Sequence, residues 1–193
     1  MIPIEKRDVK SMDLPELTAV MTGLGQPKFR AKQLFEWLHQ KRVSTFAEMT
    51  NLPTALRQTL EETCYINVLL ERRRQCAADG TVKFLFELAD GNTIESVLMA
   101  HDYGDSLCIS SQVGCRMGCA FCASTIGGKR RDLTPAEMLD QIYQAGAQTG
   151  RKIDSVVLMG IGEPLDNFEN VLRFLTLVRD PNGLGLSHRH LSL

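Results

Sequence analysis

The order of strands and helices after Ser106 constrains the fold more than any other feature of the sequence. Two strands alternate with two helices: SLCISS, TPAEMLDQIYQAGAQTG, DSVVLMG and NFENVLRFLTLV. Thr134 and Glu137 have the spacing of a capping box at the start of the first helix. Strands that alternate with helices predict parallel pairing in an α/β sheet or barrel.

The C-terminal residues, LSL, predict the start of a further strand. Two βα units cannot close a (β/α) barrel, which needs about eight strands in its full form. We therefore expect residues 105–193 to form an incomplete barrel, and the chain to be the N-terminal part of a longer protein.

Residues 1–63 are predicted to be helical. Asp13 can cap a helix that has Pro15 in its first turn. A second helix follows in PKFRAKQLFEWLHQKR, with apolar and basic residues on opposite sides. The apolar side holds Phe29, Leu34, Trp37 and Leu38, and the basic side holds Arg30, Lys32, Lys41 and Arg42.

The pattern becomes β-rich between residues 64 and 104. The runs YINVLLERRRQ, VKFLFEL and TIESVLMA are separated by Asp79-Gly80 and Asp90-Gly91, which are hairpin signals. The sequence therefore predicts an α/β protein with a helical domain at 1–63, a β-hairpin linker or barrel extension at 64–104 and a partial barrel at 105–193.

Composition restricts the cellular setting more than the function. The net charge of −1 gives no global case for nucleic-acid binding, so that case needs local patches. The charged N-terminal segment is unlike a secretory signal, and no apolar run approaches the roughly 18 residues of a membrane span. We expect a cytoplasmic protein, in which clustered cysteines more often bind metal or do chemistry than form disulfides.

Three of the six cysteines lie in the loop that follows the first of these βα strands. Cys115, Cys119 and Cys122 have the spacing C-x3-C-x2-C, whereas structural zinc sites and ordinary iron–sulfur clusters are usually closed by four protein ligands. One interpretation is a zinc site whose fourth ligand is a distant histidine: His101, His188 or His190. The other is a 4Fe-4S cluster with one open iron, which can bind a small molecule through amine and carboxylate groups.

A second loop, LMGIGEPLDN, leaves the next strand of the βα pattern. Gly160 and Gly162 permit close approach of the backbone, and Glu163 stands at the carboxyl end of the strand, where α/β proteins build their sites. The alternative is a tight turn that carries a solvent-exposed carboxylate.

Both loops resemble those of the radical S-adenosylmethionine (SAM) enzymes, including Phe121 before the last cysteine. Along essentially the whole chain, the sequence resembles the RlmN/Cfr group of RNA adenine methyltransferases. The resemblance is carried by GQPKFRAKQLFEWLHQKRVSTFAEMTNLP, IESVLMA, LCISSQVGCRMGCAFCAS and MGIGEPLDN. It implies a helical N-terminal accessory domain that binds RNA, a linking β segment and a partial radical SAM barrel.

The resemblance implies a cofactor site and a reaction. Cys115, Cys119 and Cys122 would ligate one 4Fe-4S cluster per chain, and Gly162 and Glu163 would contact SAM. Carbon 2 of adenosine in 23S rRNA and tRNA would be methylated through a methyl-cysteine and a covalent protein–RNA intermediate. That methyl-carrying cysteine would lie beyond Leu193, so we expect the 193-residue chain alone to be inactive.

Two further residues match catalytic positions of the group. Cys108 matches the cysteine that resolves the intermediate and then forms a disulfide, and Glu95 matches a proton acceptor. From the residues alone, Cys108 could equally be a small buried hydrophobe in a strand. Glu95, which we expect to point away from Ile94 and Val97, could be a solvated strand residue. Cys64 and Cys76 match no functional position.

The implied partners are 23S rRNA, tRNA and a reductant protein such as flavodoxin or ferredoxin, with no membrane and a monomeric chain. Three groups of basic residues could contact RNA: the basic side of the Trp37 helix, Arg72 to Arg74, and Lys129 to Arg131. Pro164 favours the carbon-2 enzymes over their carbon-8 relatives. The competing hypotheses are a non-catalytic RNA-binding module with a structural zinc or iron–sulfur site, and another radical SAM reaction on this scaffold.

Overall fold

The computed structural model describes residues 6–102 and 104–193. The expectation about secretion rests partly on residues 1–5, which lie outside this range. The helices are α1 (Leu14–Gly23), α2 (Phe29–His39), α3 (Thr54–Thr63), α4 (Pro135–Thr149) and α5 (Phe168–Arg179). The strands are β1 (Arg7–Asp8), β2 (Cys64–Tyr65), β3 (Leu70–Cys76), β4 (Val82–Glu87), β5 (Thr93–His101), β6 (Gly104–Cys108), β7 (Gln112–Val113), β8 (Arg131–Asp132), β9 (Ser155–Val157) and β10 (Leu191–Ser192). No helix in the described residues combines the length and the apolar character needed to cross a membrane.

The N-terminal helices start where the sequence predicts. Asp13 and Glu16 form a reciprocal capping box at α1, whose inward face buries Leu17, Val20 and Met21. The prediction for α2 needs two corrections. Phe29 is 57% exposed because it is the first residue of the helix, and Phe35 is the buried aromatic instead. Lys41 and Arg42 lie beyond α2, which ends in a left-handed turn with φ 57° at Arg42.

One mixed sheet of six strands forms the centre of the remaining chain, in the order β10-β9-β6-β5-β4-β3. β6, β9 and β10 are parallel, as expected of strands joined by helices, and β3 to β6 are antiparallel neighbours. The α/β class and the partial parallel sheet are therefore confirmed. The division into three domains stays a prediction. The hairpin strands β3 to β5 extend the same sheet as the strands of the βα units.

The two faces of this sheet have different surroundings. One face buries Phe84, Phe86, Ile94, Leu98 and Leu107 completely and packs under α4, where Ser96 donates a hydrogen bond to Gln141. Leu85, Glu95, Val97, Cys108 and Val157 occupy the opposite face and are half-buried. Val97 thus shares a face with Glu95, contrary to our expectation, because side chains two residues apart in a strand point the same way.

A buried ion pair joins the N-terminal segment to the first βα helix. Lys10 Nζ lies 2.6 Å from Asp140 Oδ1, and both side chains are at most 3% exposed. The other Asp140 oxygen accepts hydrogen bonds from the Leu69 amide and from Gln144. This carboxylate therefore fixes the helical segment and the start of β3 to α4.

His39 makes the stability of the fold pH-dependent. Its Nδ1 lies 2.8 Å from the Tyr143 hydroxyl, and burial, with a smaller effect of Lys10, lowers its pKa from 6.5 to about 3. The unfolded chain binds this proton below pH 6.5 and the folded chain does not, so stability falls as the pH drops. We expect the unfolding free energy to decrease by about 2 kcal/mol from this group between pH 7 and pH 5.

Urea titrations at several pH values can isolate this contribution. The His39→Asn variant keeps a hydrogen-bonding group near Tyr143 but does not titrate, and every other ionisable group is common to both proteins. The variant should therefore show a flatter pH dependence than the parent. Identical slopes in the two proteins would contradict the assignment.

Candidate functional site

The two loops selected from the sequence lie side by side at the carboxyl ends of the parallel strands. The cysteine loop (residues 114–130) follows β6, and the Glu163 loop (residues 158–167) follows β9, the strand that pairs with β6. The Gly160 amide donates to Ile109 O, and the Ser111 amide donates to Ile161 O. Backbone hydrogen bonds therefore continue past the ends of the strands and hold the bases of both loops together.

The histidines considered as zinc ligands lie at the other end of the sheet. His101 pairs with Gly104 at the start of β6, and His190 bonds Asp154 O just before β9. His188 belongs to the same short 3-10 helix as His190. From Asp154, just before β9, to Gly160, where the two loops meet, the chain runs six residues, which span about 20 Å in an extended strand. None of these rings therefore shares the end of the sheet that carries the cysteine loop. The zinc interpretation with these ligands is therefore not supported.

The backbone of the cysteine loop is closed by local hydrogen bonds. The Cys115 amide donates to Ser124 O, and the Cys122 amide donates to Cys119 O. Gly114 has φ 72°, and a Cβ there would lie 1.9 Å from Gly128 O. Glycine is therefore required where the two ends of the loop cross.

The three thiols are the kind of ligand that an iron–sulfur cluster uses, although their side chains are not grouped around one point. Cys115 is buried, Cys122 is half-buried and Cys119 is exposed, and all six cysteines are free. In residues 6–102 and 104–193, no three His, Cys, Asp or Glu side chains are grouped so as to hold a metal ion. Thiolates are nonetheless the usual ligands of such clusters, and the closed loop keeps these three within eight positions. The donor set therefore fits a 4Fe-4S cluster.

The Glu163 loop packs closely against the Gln112 side chain. Gly162 has φ 104°, and a Cβ there would lie 2.5 Å from Gln112 Cβ. The Glu163 amide donates to Gln112 Oε1, and the Glu163 carboxylate accepts from the Leu165 amide. Beside this loop lies a cavity of about 480 Å³ that includes Gly162, Glu163 and Leu193 in its lining. Cavities of roughly 300–1,000 Å³ accept small molecules and cofactors.

Cys108 and Glu95 are close neighbours on the open face of the sheet. Cys108 pairs with Val97, and Glu95 lies two residues from Val97 on the same side, which makes the two a diagonal pair. The Glu95 carboxylate forms an ion pair with Lys83 at 2.7 Å. Burial raises the pKa of the Cys108 thiol, with the Met159 backbone acting in the opposite direction. The thiol is therefore protonated at neutral pH.

Sequence reasoning missed a network of polar side chains that joins the two loops. Asp166 accepts hydrogen bonds from Gln112, Lys129 and Arg116, the last of which lies between Cys115 and Cys119. These bonds hold the pKa of Asp166 well below its usual range. The only signal in the sequence was that Gln112 lies in the motif LCISSQVGCRMGCAFCAS and Asp166 lies in the motif MGIGEPLDN.

Four of the six basic residues in the runs 72–74 and 129–131, which were predicted to contact RNA, form ion pairs with carboxylates. Arg72 pairs with Glu87 and Arg74 with Glu71. Lys129 pairs with Asp132 and Asp166. Arg131 pairs with Asp90 and Glu137. Around α2 the situation differs, because Lys28, Lys32 and Lys41 are exposed and form no ion pair within the described part of the chain.

Comparisons with known proteins show which families this chain resembles. Residues 8–66 match the ribosomal RNA large subunit methyltransferase N-terminal domain, and residues 109–192 match the radical SAM superfamily. The chain is 52% identical over 187 residues to a protein of Lachnospira eligens described as "Probable dual-specificity RNA methyltransferase RlmN", covering 96% of this chain and 53% of that protein. A protein of Symbiobacterium thermophilum with the same description is 49% identical, with 97% and 52% coverage.

A solved structure shows the same architecture. The radical SAM methyltransferase from Sphaerobacter thermophilus superimposes with a TM-score of 0.87 at 33% sequence identity. The match covers 96% of this chain and 55% of that protein. The chain thus spans about half the length of the relatives that it matches.

Proposed function

We propose that this chain, which belongs to the RlmN group of radical SAM methyltransferases, provides the RNA-contacting module and the cofactor loops of an RNA methyltransferase. One observation carries the proposal. The cysteine loop and the Glu163 loop meet at the carboxyl ends of two paired parallel strands, which is where α/β proteins bind their ligands. The proposed product is adenosine methylated at carbon 2 in 23S rRNA and tRNA.

Cys115, Cys119 and Cys122 are the proposed ligands of a 4Fe-4S cluster with one open iron. Such a cluster supplies the electron for reductive cleavage of SAM. Gly162 and Glu163 are the proposed SAM contacts, because the 480 Å³ cavity lies against their loop. A glycine at 162 leaves the backbone free to approach a ligand, and the Glu163 carboxylate can accept hydrogen bonds from an ammonium group.

Cys108 and Glu95 are the proposed catalytic pair on the open sheet face. The raised pKa of the thiol keeps Cys108 protonated until a base acts on it, and Glu95 is the carboxylate diagonal to it. The same carboxylate forms an exposed ion pair with Lys83. The methyl-carrying cysteine is proposed to lie beyond Leu193, so the reaction is proposed for the longer protein and the isolated chain is proposed to be inactive.

The surface around α2 is the proposed RNA contact of the N-terminal module. Phe29 is 57% exposed, with the Arg30 guanidinium 4.9 Å from the centre of its ring, and Lys28 and Lys32 flank it. Exposed aromatic and unpaired basic side chains suit single-stranded or looped RNA, through stacking and phosphate contacts. The flavodoxin or ferredoxin reductant, the monomeric state and the cytoplasmic location stay predictions.

Cluster reconstitution tests the proposal. Purified without oxygen and supplied with iron and sulfide, the chain should bind about four irons and give a reduced EPR signal that shifts on addition of SAM. Cys119→Ala should lose most of the iron, whereas Cys76→Ala, an exposed cysteine outside the loop, should keep it. Stoichiometric zinc without such a signal would refute the proposal.

A further inference from the structure

We propose that Asp166 and Gln112 are positioning residues that hold the cysteine loop and the Glu163 loop in one mutual arrangement. This inference rests on the proposed function, since those loops are the proposed cluster and SAM sites. Gln112 lies in β7, directly before the cysteine loop, and Asp166 lies in the Glu163 loop. The two side chains bond each other, Gln112 Nε2 donating to Asp166 Oδ2 at 2.9 Å.

Asp166 connects its own loop to both arms of the cysteine loop. Its side chain is only 9% exposed. Arg116, between the first two cysteines, donates to Asp166 Oδ1, and Lys129, at the far end of the loop, donates to Oδ2 at 2.9 Å. Charge-assisted bonds of this kind are roughly twice as strong as neutral ones. The Asp166 carboxylate therefore bonds the cysteine loop on both sides of the segment that contains Cys119 and Cys122.

Gln112 connects the same carboxylate to the backbone beside Glu163. Its side chain is fully buried, and its Oε1 accepts a hydrogen bond from the Glu163 amide. Its Nε2 donates to Asp132 Oδ1 at 2.8 Å as well as to Asp166. The amide is thus satisfied in one orientation only, with oxygen toward Glu163 and nitrogen toward the carboxylates.

The bases of the two loops do not need this network. Asn167, which is buried, donates to Ser111 O and Leu133 O, and the Ser110 hydroxyl accepts from the Ile161 amide. Those bonds fix residues 110–112 and 160–167 without Asp166. The segment from Arg116 to Lys129 is held to the Glu163 loop through the Asp166 carboxylate. Loss of that carboxylate should loosen the cysteine loop and leave the sheet intact.

Hydrogen exchange on the metal-free chain tests this directly. In Asp166→Leu, peptides covering residues 114–130 should exchange about tenfold faster, since the charge-assisted bonds from Arg116 and Lys129 to the carboxylate are lost. Peptides from α4 should be unchanged. Arg116→Leu, which alters a side chain that is 65% exposed and so cannot disturb the core, should speed exchange at 116–123. Glu87→Leu removes a carboxylate from a remote ion pair and should leave residues 114–130 unaffected.

SAM affinity of the reconstituted protein provides the second measurement. Asp166→Leu should weaken SAM binding about tenfold at unchanged iron content. Asp166→Asn, which keeps the shape of the side chain and one accepting oxygen but not the charge, should recover part of the affinity. Unchanged exchange at 114–130 in both Asp166→Leu and Arg116→Leu would overturn the inference. If the parent chain binds neither cluster nor SAM, the proposed function fails, whereas the exchange result still decides whether the network holds the two loops.

Discussion

Lys10→Met is expected to destabilise the fold by about 3–5 kcal/mol, because it leaves a buried carboxylate without its counter-charge. The Asp140 side chain is 1% exposed, and Lys10 is its cationic partner. The remaining donors, the Leu69 amide and Gln144, are neutral and cannot replace the ammonium group. Urea unfolding followed by circular dichroism measures the loss, which should also lower the yield of folded protein.

A double-mutant cycle separates the charge from the packing. Lys10→Met combined with Asp140→Asn should recover more than half of the lost stability, because the asparagine is neutral and still accepts from the Leu69 amide. Arg72→Met provides the matched control, since its ion pair with Glu87 is solvent-exposed and should matter little. Equal losses for Lys10→Met and Arg72→Met would show that burial of the Lys10 pair has no energetic consequence.

Gly162→Ala is expected to cost about 2–4 kcal/mol, the sum of an unfavourable backbone conformation and overpacking. At φ 104° the new Cβ would lie 2.5 Å from Gln112 Cβ and 2.8 Å from Gln112 N. Gln112 cannot move aside easily, because it is fully buried and bonded to Glu163, Asp132 and Asp166. The loop must therefore shift, and the Glu163 amide should lose its hydrogen bond to Gln112.

Gly127→Ala is the appropriate comparison for this substitution. Gly127 also lies next to the site, but no atom lies within 4 Å of a Cβ built there, and its φ is outside the left-handed region. Thermal or urea unfolding of the two variants should therefore show a large loss only for Gly162→Ala. If the two variants are equally stable, the close packing of Gln112 against the Glu163 loop does not constrain position 162.

Local sequence signals predicted the secondary structure well. The helix cap at Asp13 and the capping box at Thr134 form as expected, and both Asp-Gly turns connect antiparallel strands. Each of these features depends on residues within a few positions of one another, so it can be derived without knowing the fold. The corrections concern residues at the ends of elements, such as Phe29 and Lys41, where the amphipathic pattern does not specify how far the neighbouring helix reaches.

Pairings between distant residues could not be predicted in this way. The basic runs 72–74 and 129–131 indicated an RNA surface, but carboxylates from neighbouring strands and loops neutralise most of those charges. Gln112 and Asp166 are 54 positions apart, and nothing in either motif specifies that they bond. The three histidines are equally available as ligands in the sequence, and only the strand order places them away from the cysteines.

The sequence by itself determined the βα alternation, the two loops at the carboxyl ends of the strands and the family resemblance, because these are encoded in short contiguous stretches. The tertiary structure alone decided which side chains meet. Lys10 and Asp140, 130 positions apart, form a buried ion pair, and Asp166 joins both arms of the cysteine loop. The physical reason is that such contacts depend on the order and register of the strands, which the packing of the whole chain selects.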